Sequence, residues 1–537
     1  MNADAVVIGS GPNGLVAASL LADAGWDVVV LEAQPTPGGA VRSAQVTAPG
    51  FVSDLFSSFY PLAVGSPVLR GLALEDHGLS WSHAPAVLAH PLLDGRTAVL
   101  SRDLERTVAS VSAFDPRDGR AWRELVAHWR DLDPALVQTL MTPFPPVRAG
   151  ARLARRLGVR EGLRFARFGL LSVRRFAKET FHGDGAALLL AGNALHTDLG
   201  PEEPGSAVFG WLLAMLGQSV GFPVPRGGSG TLTDALTARL RAAGGRIECS
   251  TPVEEIVVRE GRALGVRCAD GRFVRARRAV LADVSAPALY LQLLDPDELP
   301  ARLRGDLTRF DWDDATVKVD WALSGPIPWR NHEAAEAGTV HLGGGLDEVS
   351  DFAHSLALGR VPADPFLLVG QMSTADPSRS PAGTESAWAY THVPARPRGD
   401  AAGVLHGGWD DASVQAGFLD RMEARMEQFA PGFRDLVIGR HVAFPADLQN
   451  ADANLVHGAL NGGTSGLTQQ LIFRPTPGLG RPETHIAGLF LASAAAHPGG
   501  GVHGACGANA ARAARRAGGT GRLALAATRA LVGGPQA

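Results

Sequence analysis

Residues 4–32 read DAVVIGSGPNGLVAASLLADAGWDVVVLE, and no other stretch of the chain narrows the choice of fold so far. Ala5–Ile8 is a short apolar run of strand type. It leads into Gly9-x-Gly11-x-x-Gly14, with Pro12 and Asn13 between the second and third glycines. Leu15–Ala24 then reads as a helix rich in Ala and Leu, closed by Gly25, and Asp27–Leu31 as a second buried strand ending on Glu32. In a βαβ unit of this kind Gly9 makes the tight turn, Gly11 lets a pyrophosphate reach the backbone, and Gly14 allows helix and strand to pack closely. The helix start supplies free N–H groups and partial positive charge for phosphates. Glu32, followed by Ala33, stands where a carboxylate accepts hydrogen bonds from a ribose diol. Strand, glycines, helix and acid together predict a dinucleotide site.

A few residues on comes the pair Gly38-Gly39, followed by Ala40 and, two further along, Arg42. Here the chain resembles the extended dinucleotide motif of two-domain flavoproteins, in which such a pair runs along the FAD diphosphate and an Arg often follows directly. A second glycine loop, PRGGSGTLTDALTARLRAAGG, leads into a helix expected over about 232–243 and ended by Gly244-Gly245. After it, alternating apolar and polar runs broken at Glu260-Gly261 and Asp270-Gly271 predict an antiparallel meander, with Ala279–Ala282 as a strand returning to the core. In the architecture that the chain resembles, the backbone of Val253 meets the adenine.

Near the other end stands LFLASAAAHPGGGVHGACGANAAR, residues 489–512. His485–Ser493 has the look of a strand, HPGGGVHGACG of a loop, and Ala508–Ala517 of a helix stopped by Gly518-Gly519. This is again strand, glycine loop and helix start. Main-chain N–H groups there stabilise negative charge on a reduced flavin and its diphosphate, and a Cβ at Gly499, Gly500 or Gly501 is expected to hold the ring off. One long ligand bridging the two ends of the chain follows, and FAD is long enough. The block resembles the C-terminal FAD motif of the phytoene-desaturase-like flavoproteins. Within them it is most similar to the branch of desaturase-like carotenoid ketolases and pyridine nucleotide-disulfide oxidoreductase domain-containing protein 2. The resemblance extends to PVPRGGSGTLTDAL and QQLIFRPTPGLG, and places Ser493, Gly500, Gly501 and Val502 at the cofactor, with Ser493 where the pattern has Gly.

What the resemblance implies for the fold is α/β, a two-domain flavoprotein. It has a discontinuous Rossmann-like FAD domain of glutathione-reductase type (1–65, 221–290, 481–537) and a mixed α+β substrate domain with a helical part (66–220, 291–480). A length of 537 residues allows two domains, and 45% hydrophobic with 19% charged residues is ordinary for a globular protein. A net charge of −4 argues against nucleic acid as a partner. The three cysteines make no CxxC pair, which suggests a reducing compartment. With neither a secretion signal nor a spanning apolar run expected, the location is cytoplasmic, free or at a membrane surface. Residues 147–178 carry ten Arg and Lys against the single acid Glu161, interleaved with Leu and Phe. They read either as a membrane-surface stretch or as a solvated helix capping the substrate domain.

The expected activity is hydride removal by FAD from a long hydrophobic substrate, a polyene or other isoprenoid, with oxygen or a quinone taking the electrons. Ketolase-type oxygenation, amine oxidation on the same fold and non-catalytic flavin binding are the alternatives. A nicotinamide–disulfide reductase is excluded, because it needs a second GxGxxG unit and a paired-cysteine motif. The catalytic candidates are His503, Lys318 and His196. His503 lies against the flavin edge or merely holds loop backbone. Lys318 stands on the polar side of a strand predicted over 314–323, near the flavin or as a surface lysine. His196, like His497 and Arg474, is read more readily as a structural hydrogen-bonding group. No metal site is expected.

Overall fold

The computed structural model describes residues 2–517 and 521–532. Among these, most strand residues fall into two seven-stranded sheets. The first has a parallel core in the order Leu489–Leu491, Phe273–Ala282, Asn2–Ile8, Val28–Leu31 and Arg246–Glu248. The paired stretches Ala5–Ile8, Val28–Leu31 and Ala279–Ala282 at its centre are unbroken Ala, Val, Leu and Ile because both faces are covered. Ala5, Val7, Val28 and Val30 pack under the helices Pro12–Ala22, Gly230–Ala242 and Ala505–Arg516. Val6, Ile8, Val29 and Leu31 pack on the opposite side against the meander and the helices of 286–307.

The meander is Val253–Arg259, Arg262–Cys268 and Phe273–Ala282, antiparallel, with its first turn at Glu260 and Gly261, both left-handed (φ 51° and 66°). The C-terminal strand is shorter than HIAGLFLAS suggested. Only Leu489–Leu491 lies in the sheet, because the chain turns at Gly488 (φ 77°) and the residues before it fold back, with Thr484 N–H on the Leu489 carbonyl and Leu491 N–H on the Pro482 carbonyl. The helix after the last glycine loop begins at Ala505, three residues earlier than expected, and its predicted stop at Gly518-Gly519 lies outside the described residues.

The second sheet runs Val437–Ala443, Ala315–Leu323, Glu385–Val393, Leu367–Gln371, Ala337–Leu342, Ala86–Pro91 and Thr97–Leu100. Helices between 104 and 220 pack on it around Trp122, Trp129 and Trp211. The alternation over 314–323 predicts a polar face carrying Lys318, near the flavin or as a surface lysine. Instead all nine residues are buried, because the strand is internal to the sheet, and Lys318 is only 4% exposed. The basic segment forms the helices Val147–Phe168 and Val173–Thr180, the first kinked at Gly158 (φ 66°, ψ −177°).

Candidate functional site

The two glycine-rich ends of the chain meet. The helix starts at Pro12 and Ala505 lie side by side, and a Cβ on Gly507 would stand 1.9 Å from the carbonyl oxygen of Asn13. The Asn13 side chain accepts from the Gly507 N–H at 3.4 Å. Two helix N-termini therefore point into one region, and their positive ends add. Among the described residues, the N–H groups of Gly11 and Asn13 find no acceptor, nor do those of Gly500, Gly501 and Val502. That is a row of unsatisfied main-chain donors, which is what an extended anionic ligand with carbonyl edges needs.

At the first loop Gly9 takes φ 89°, and a Cβ on Gly14 would stand 2.4 Å from the Gly9 carbonyl, so strand and helix touch there as expected. Glu32 is buried. Its carboxylate accepts from Ser10 N (2.8 Å), Ser10 Oγ (2.6 Å) and Gln34 N (2.8 Å). A carboxylate offers about four lone-pair sites, so one remains for a ribose hydroxyl. Ala33 beside it is exposed. Thr251, two residues before Val253, donates its N–H to the Glu32 carbonyl, which brings that segment to the same end of the site.

Gly38 and Gly39 take φ 126° and 55°. A Cβ on Gly39 would lie 3.1 Å from the Gly11 Cα, so the glycine pair folds back over the first loop. Ala40 accepts from Ser57 Oγ at 2.9 Å. Arg42 donates to the carbonyls of Gly39 (2.9 Å) and Ala451 (2.7 Å) and spans the segment instead of hanging free.

The sequence reading missed Asp283. It ends the strand Phe273–Ala282, at the carboxyl edge of a parallel sheet where ligands of such folds bind. Its Oδ2 accepts from the Gly14 N–H at 2.7 Å. Burial, reinforced by nearby Asp452 and Glu32, pushes its carboxyl up to about 8, so near neutral pH it is mostly protonated and adds little repulsion against a diphosphate. The acid directly after VLA was a usable signal.

In the C-terminal loop one expectation fails. The space that Cβ atoms on Gly499, Gly500 and Gly501 would enter is taken by Arg474 (3.2 Å), Asn461 (2.8 Å) and Leu62 (2.6 Å), so these glycines admit neighbouring protein, not a ring. Arg474 is fully buried and donates to the carbonyls of Asn461 (2.8 Å), Thr464 (2.9 Å) and Ala494 (2.9 Å), pinning loop 461–464 to the C-terminal motif. Ser493 caps its own turn through Ala495 N.

His503 is buried, and its Nδ1 accepts from the Ala505 N–H at 3.0 Å, capping the helix; burial draws its pKa down to about 4. His497 bonds the Thr142 carbonyl. His196 pairs with His341 (Nε2 to Nε2, 2.9 Å) in the helical part, and no hydrogen bond links it to either glycine loop. Lys318 donates to both oxygens of Asp320 at 2.5 Å. It sits opposite Ala443 on the neighbouring strand, and its ammonium lies 5.9 Å from the centre of the Trp388 ring.

Against known proteins, residues 13–352 match the model of the family described as flavin containing amine oxidoreductase. Pyridine nucleotide-disulfide oxidoreductase domain-containing protein 2 of Mus musculus is 28% identical, over 95% of this chain and 92% of its own. The phytoene desaturase (lycopene-forming) of Pseudescherichia vulneris is 27% identical, over 93% and 96%. Among solved structures, wild-type putrescine oxidase bound to putrescine superposes with a TM-score of 0.58 at 17% identity, over 96% of this chain and 98% of that one, a likeness of fold. The free donors and left-handed glycines fit the cofactor of that family, and the chain belongs to the flavin containing amine oxidoreductases as an FAD-dependent oxidoreductase.

Proposed function

We propose that the protein removes hydride from a long hydrophobic substrate, of polyene or other isoprenoid type, and passes the electrons to oxygen or a quinone. FAD, when bound, supplies the hydride acceptor; the chain supplies position, polarity and dryness. One observation carries the reading: the titratable side chains packed at the C-terminal glycine loop are neutral or fully engaged. His503 is a neutral helix cap, Arg474 is spent on carbonyls, and burial pushes the Cys506 thiol up to about 12. A C–H bond in an apolar substrate asks for no stronger acid or base than that, and desaturation is what the relative in Pseudescherichia vulneris is named for.

In this proposal Gly9, Gly11, Pro12, Asn13, Gly14, Gly38, Gly39 and Ala40 hold the diphosphate, with Arg42 bracing the glycine pair. Glu32, Ala33 and Val253 serve the adenosine end, and Ser493, Gly500, Gly501 and Val502 the flavin end. His503 positions the last loop, and Lys318, held by Asp320, is assigned to the substrate side of the flavin. The FAD domain comprises residues 1–65, 221–290 and 481–537. Contact with a membrane surface belongs to the same proposal. Val159 and Leu163 are 84% and 69% exposed beside exposed Arg148, Arg155 and Arg160, and no helix among the described residues is long and apolar enough to cross a bilayer.

The test is anaerobic bleaching of the purified yellow protein. Loss of the oxidised-flavin absorbance with a polyene in detergent, and not with alkylamines, is expected. Reduction by amines alone overturns the proposal in favour of amine oxidation, and reduction by neither overturns it in favour of a non-catalytic flavin protein.

A further inference from the structure

Away from the glycine loops, a cavity of about 190 Å³ opens in the substrate-domain half, with Asp198, Glu203, Asp314, His392 and Thr464 on its wall. Its charge is lopsided. Asp198, Glu203 and Asp314 stand together with Asp313 just behind; no Lys or Arg forms an ion pair with any of them among the described residues, and Arg474, whose charge reaches Asp198 and Asp313, spends its donors on backbone carbonyls. Burial and mutual repulsion push Asp314 well above the usual carboxylate range and Glu203 up to about 7.

Two of these acids have work in the fold. Asp313 accepts the N–H groups of Leu460 (2.6 Å), Asn461 (2.9 Å) and Gly463 (3.2 Å), and Asp198 accepts Ser465 N (2.8 Å) and the Thr464 hydroxyl. Together they shape loop 460–465. Asp314 accepts no hydrogen bond from any described group. A second, independent feature lies in the same wall. His392 is 1% exposed and its Nε2 lies 2.9 Å from the Leu195 carbonyl, which fixes that nitrogen as the N–H. Its Nδ1 therefore carries the lone pair, and it has no partner. An orphaned buried acceptor beside an orphaned carboxylate calls for a donor from outside.

We propose that the cavity between Asp198, Glu203, Asp314 and His392 binds a compact cation that brings its own N–H donors, a primary ammonium or a guanidinium group. A bare metal ion fits poorly, since no group of three or more His, Cys, Asp or Glu among the described residues is spaced to ligate one. The donors of the ligand meet the imidazole lone pair and the acids, and its charge favours the ionised forms of Asp314 and Glu203, which burial otherwise keeps protonated in whole or in part, so binding releases protons. The site adjoins the flavin region through one loop. Thr464 lines the cavity, while Asn461, three residues earlier, lies against Gly500. Occupancy is accordingly read in the flavin spectrum as well as in heat. The proposal does not depend on which substrate the flavin oxidises.

The experiment uses holoprotein under air, titrated with ammonium chloride and with guanidinium chloride below about 50 mM, at constant ionic strength. Neither cation bears an oxidisable C–H bond, so binding is separated from turnover. Tetramethylammonium, equal in charge but without N–H donors, is the control. Calorimetry and the flavin difference spectrum should show saturable binding of the first two, with tetramethylammonium at least about tenfold weaker. Asp314→Asn should weaken binding by about tenfold with FAD content unchanged, and Glu203→Gln, at an exposed position, should weaken it in a protein certain to keep its core. Equal response to all three cations, absence of saturation, or wild-type affinity in both variants overturns the site.

Discussion

The contact between Asn13 and Gly507 makes the sharpest demand on the molecule, and Gly507→Ala tests it. The added Cβ would stand 1.9 Å from a backbone oxygen, and backbone cannot rotate away as a side chain can. Reaching an ordinary C···O contact requires the helix Ala505–Arg516 to move by roughly 1.5 Å from Pro12–Ala22. Overpacking of this kind costs about 1–3 kcal/mol. The same displacement draws apart the two helix ends whose free N–H groups face one ligand, so FAD affinity falls with stability and the loss of bound FAD lowers stability further. The assay is FAD stoichiometry after purification, a flavin titration of the apoprotein and thermal unfolding of both forms. Gly305→Ala is the control, since nothing lies within 4 Å of its Cβ position inside the helix Ala301–Leu307, and it should be neutral or slightly stabilising. The Gly507 variant should emerge largely colourless and melt several degrees lower. Full FAD content with an unchanged melting temperature would refute the claim that the two ends of the chain grip one cofactor in register.

Other consequences are as open to measurement. Asp283 keeps its proton in the folded protein to about pH 8, whereas the unfolded chain loses it near pH 4, so between those values folding takes up a proton and stability falls as pH rises. Apoprotein carrying Asp283→Asn, which still accepts from Gly14 N but has no proton to lose, should show a flatter melting profile from pH 5 to 8.5; parallel profiles contradict the assignment. Lys318→Met strands the Asp320 carboxylate in the core and should cost about 3–5 kcal/mol, whereas Lys318→Met with Asp320→Asn should recover most of that. If the double variant also recovers turnover, Lys318 serves only Asp320; if stability returns without turnover, the lysine acts at the flavin. In flotation assays the protein should rise with vesicles rich in anionic lipid, and the triple change of Arg148, Arg155 and Arg160 to Glu should abolish this at low salt. Equal flotation of both proteins removes the basic helix from any membrane role.

How much of this was legible in the sequence depends on what each signal was made of. The parallel sheet could be read because its strands are covered on both faces and must be apolar throughout, as in AVVI, VVVL and AVLA. The meander announced itself through Glu260-Gly261 and Asp270-Gly271, where the backbone turns. Ala315–Leu323 misled because alternation reports chemistry, not exposure. Thr316, Lys318 and Asp320 are polar and also buried, the last two neutralising one another across two residues of the same strand. No local pattern distinguishes such a pair from a solvated face. The strand expected over His485–Ser493 was cut short for a related reason: apolar residues that fill space beside a sheet look the same as residues within it.

The division between the legible and the hidden parts of the site follows from the same physics. A cofactor held by main chain needs backbone that comes close and turns sharply, and only glycine permits both, so Gly9, Gly14, Gly38 and Gly39 mark the seat whatever else the chain does. Groups that act through side chains carry no such mark. Asp283 reaches the first glycine loop from 269 residues away, Arg474 holds carbonyls on both sides of itself, and Asp314 and His392 meet only because their strands pair in the second sheet, where Ala315 stands opposite Val393. Even the final glycines were legible as glycines but not in purpose, since Arg474, Asn461 and Leu62 occupy the room they leave. A protein whose cofactor performs the bond-breaking step is thus most readable where it is least specific to its substrate. Side chains far apart in sequence are brought together only by the fold, and the acid-lined cavity behind loop 460–465 is one such assembly.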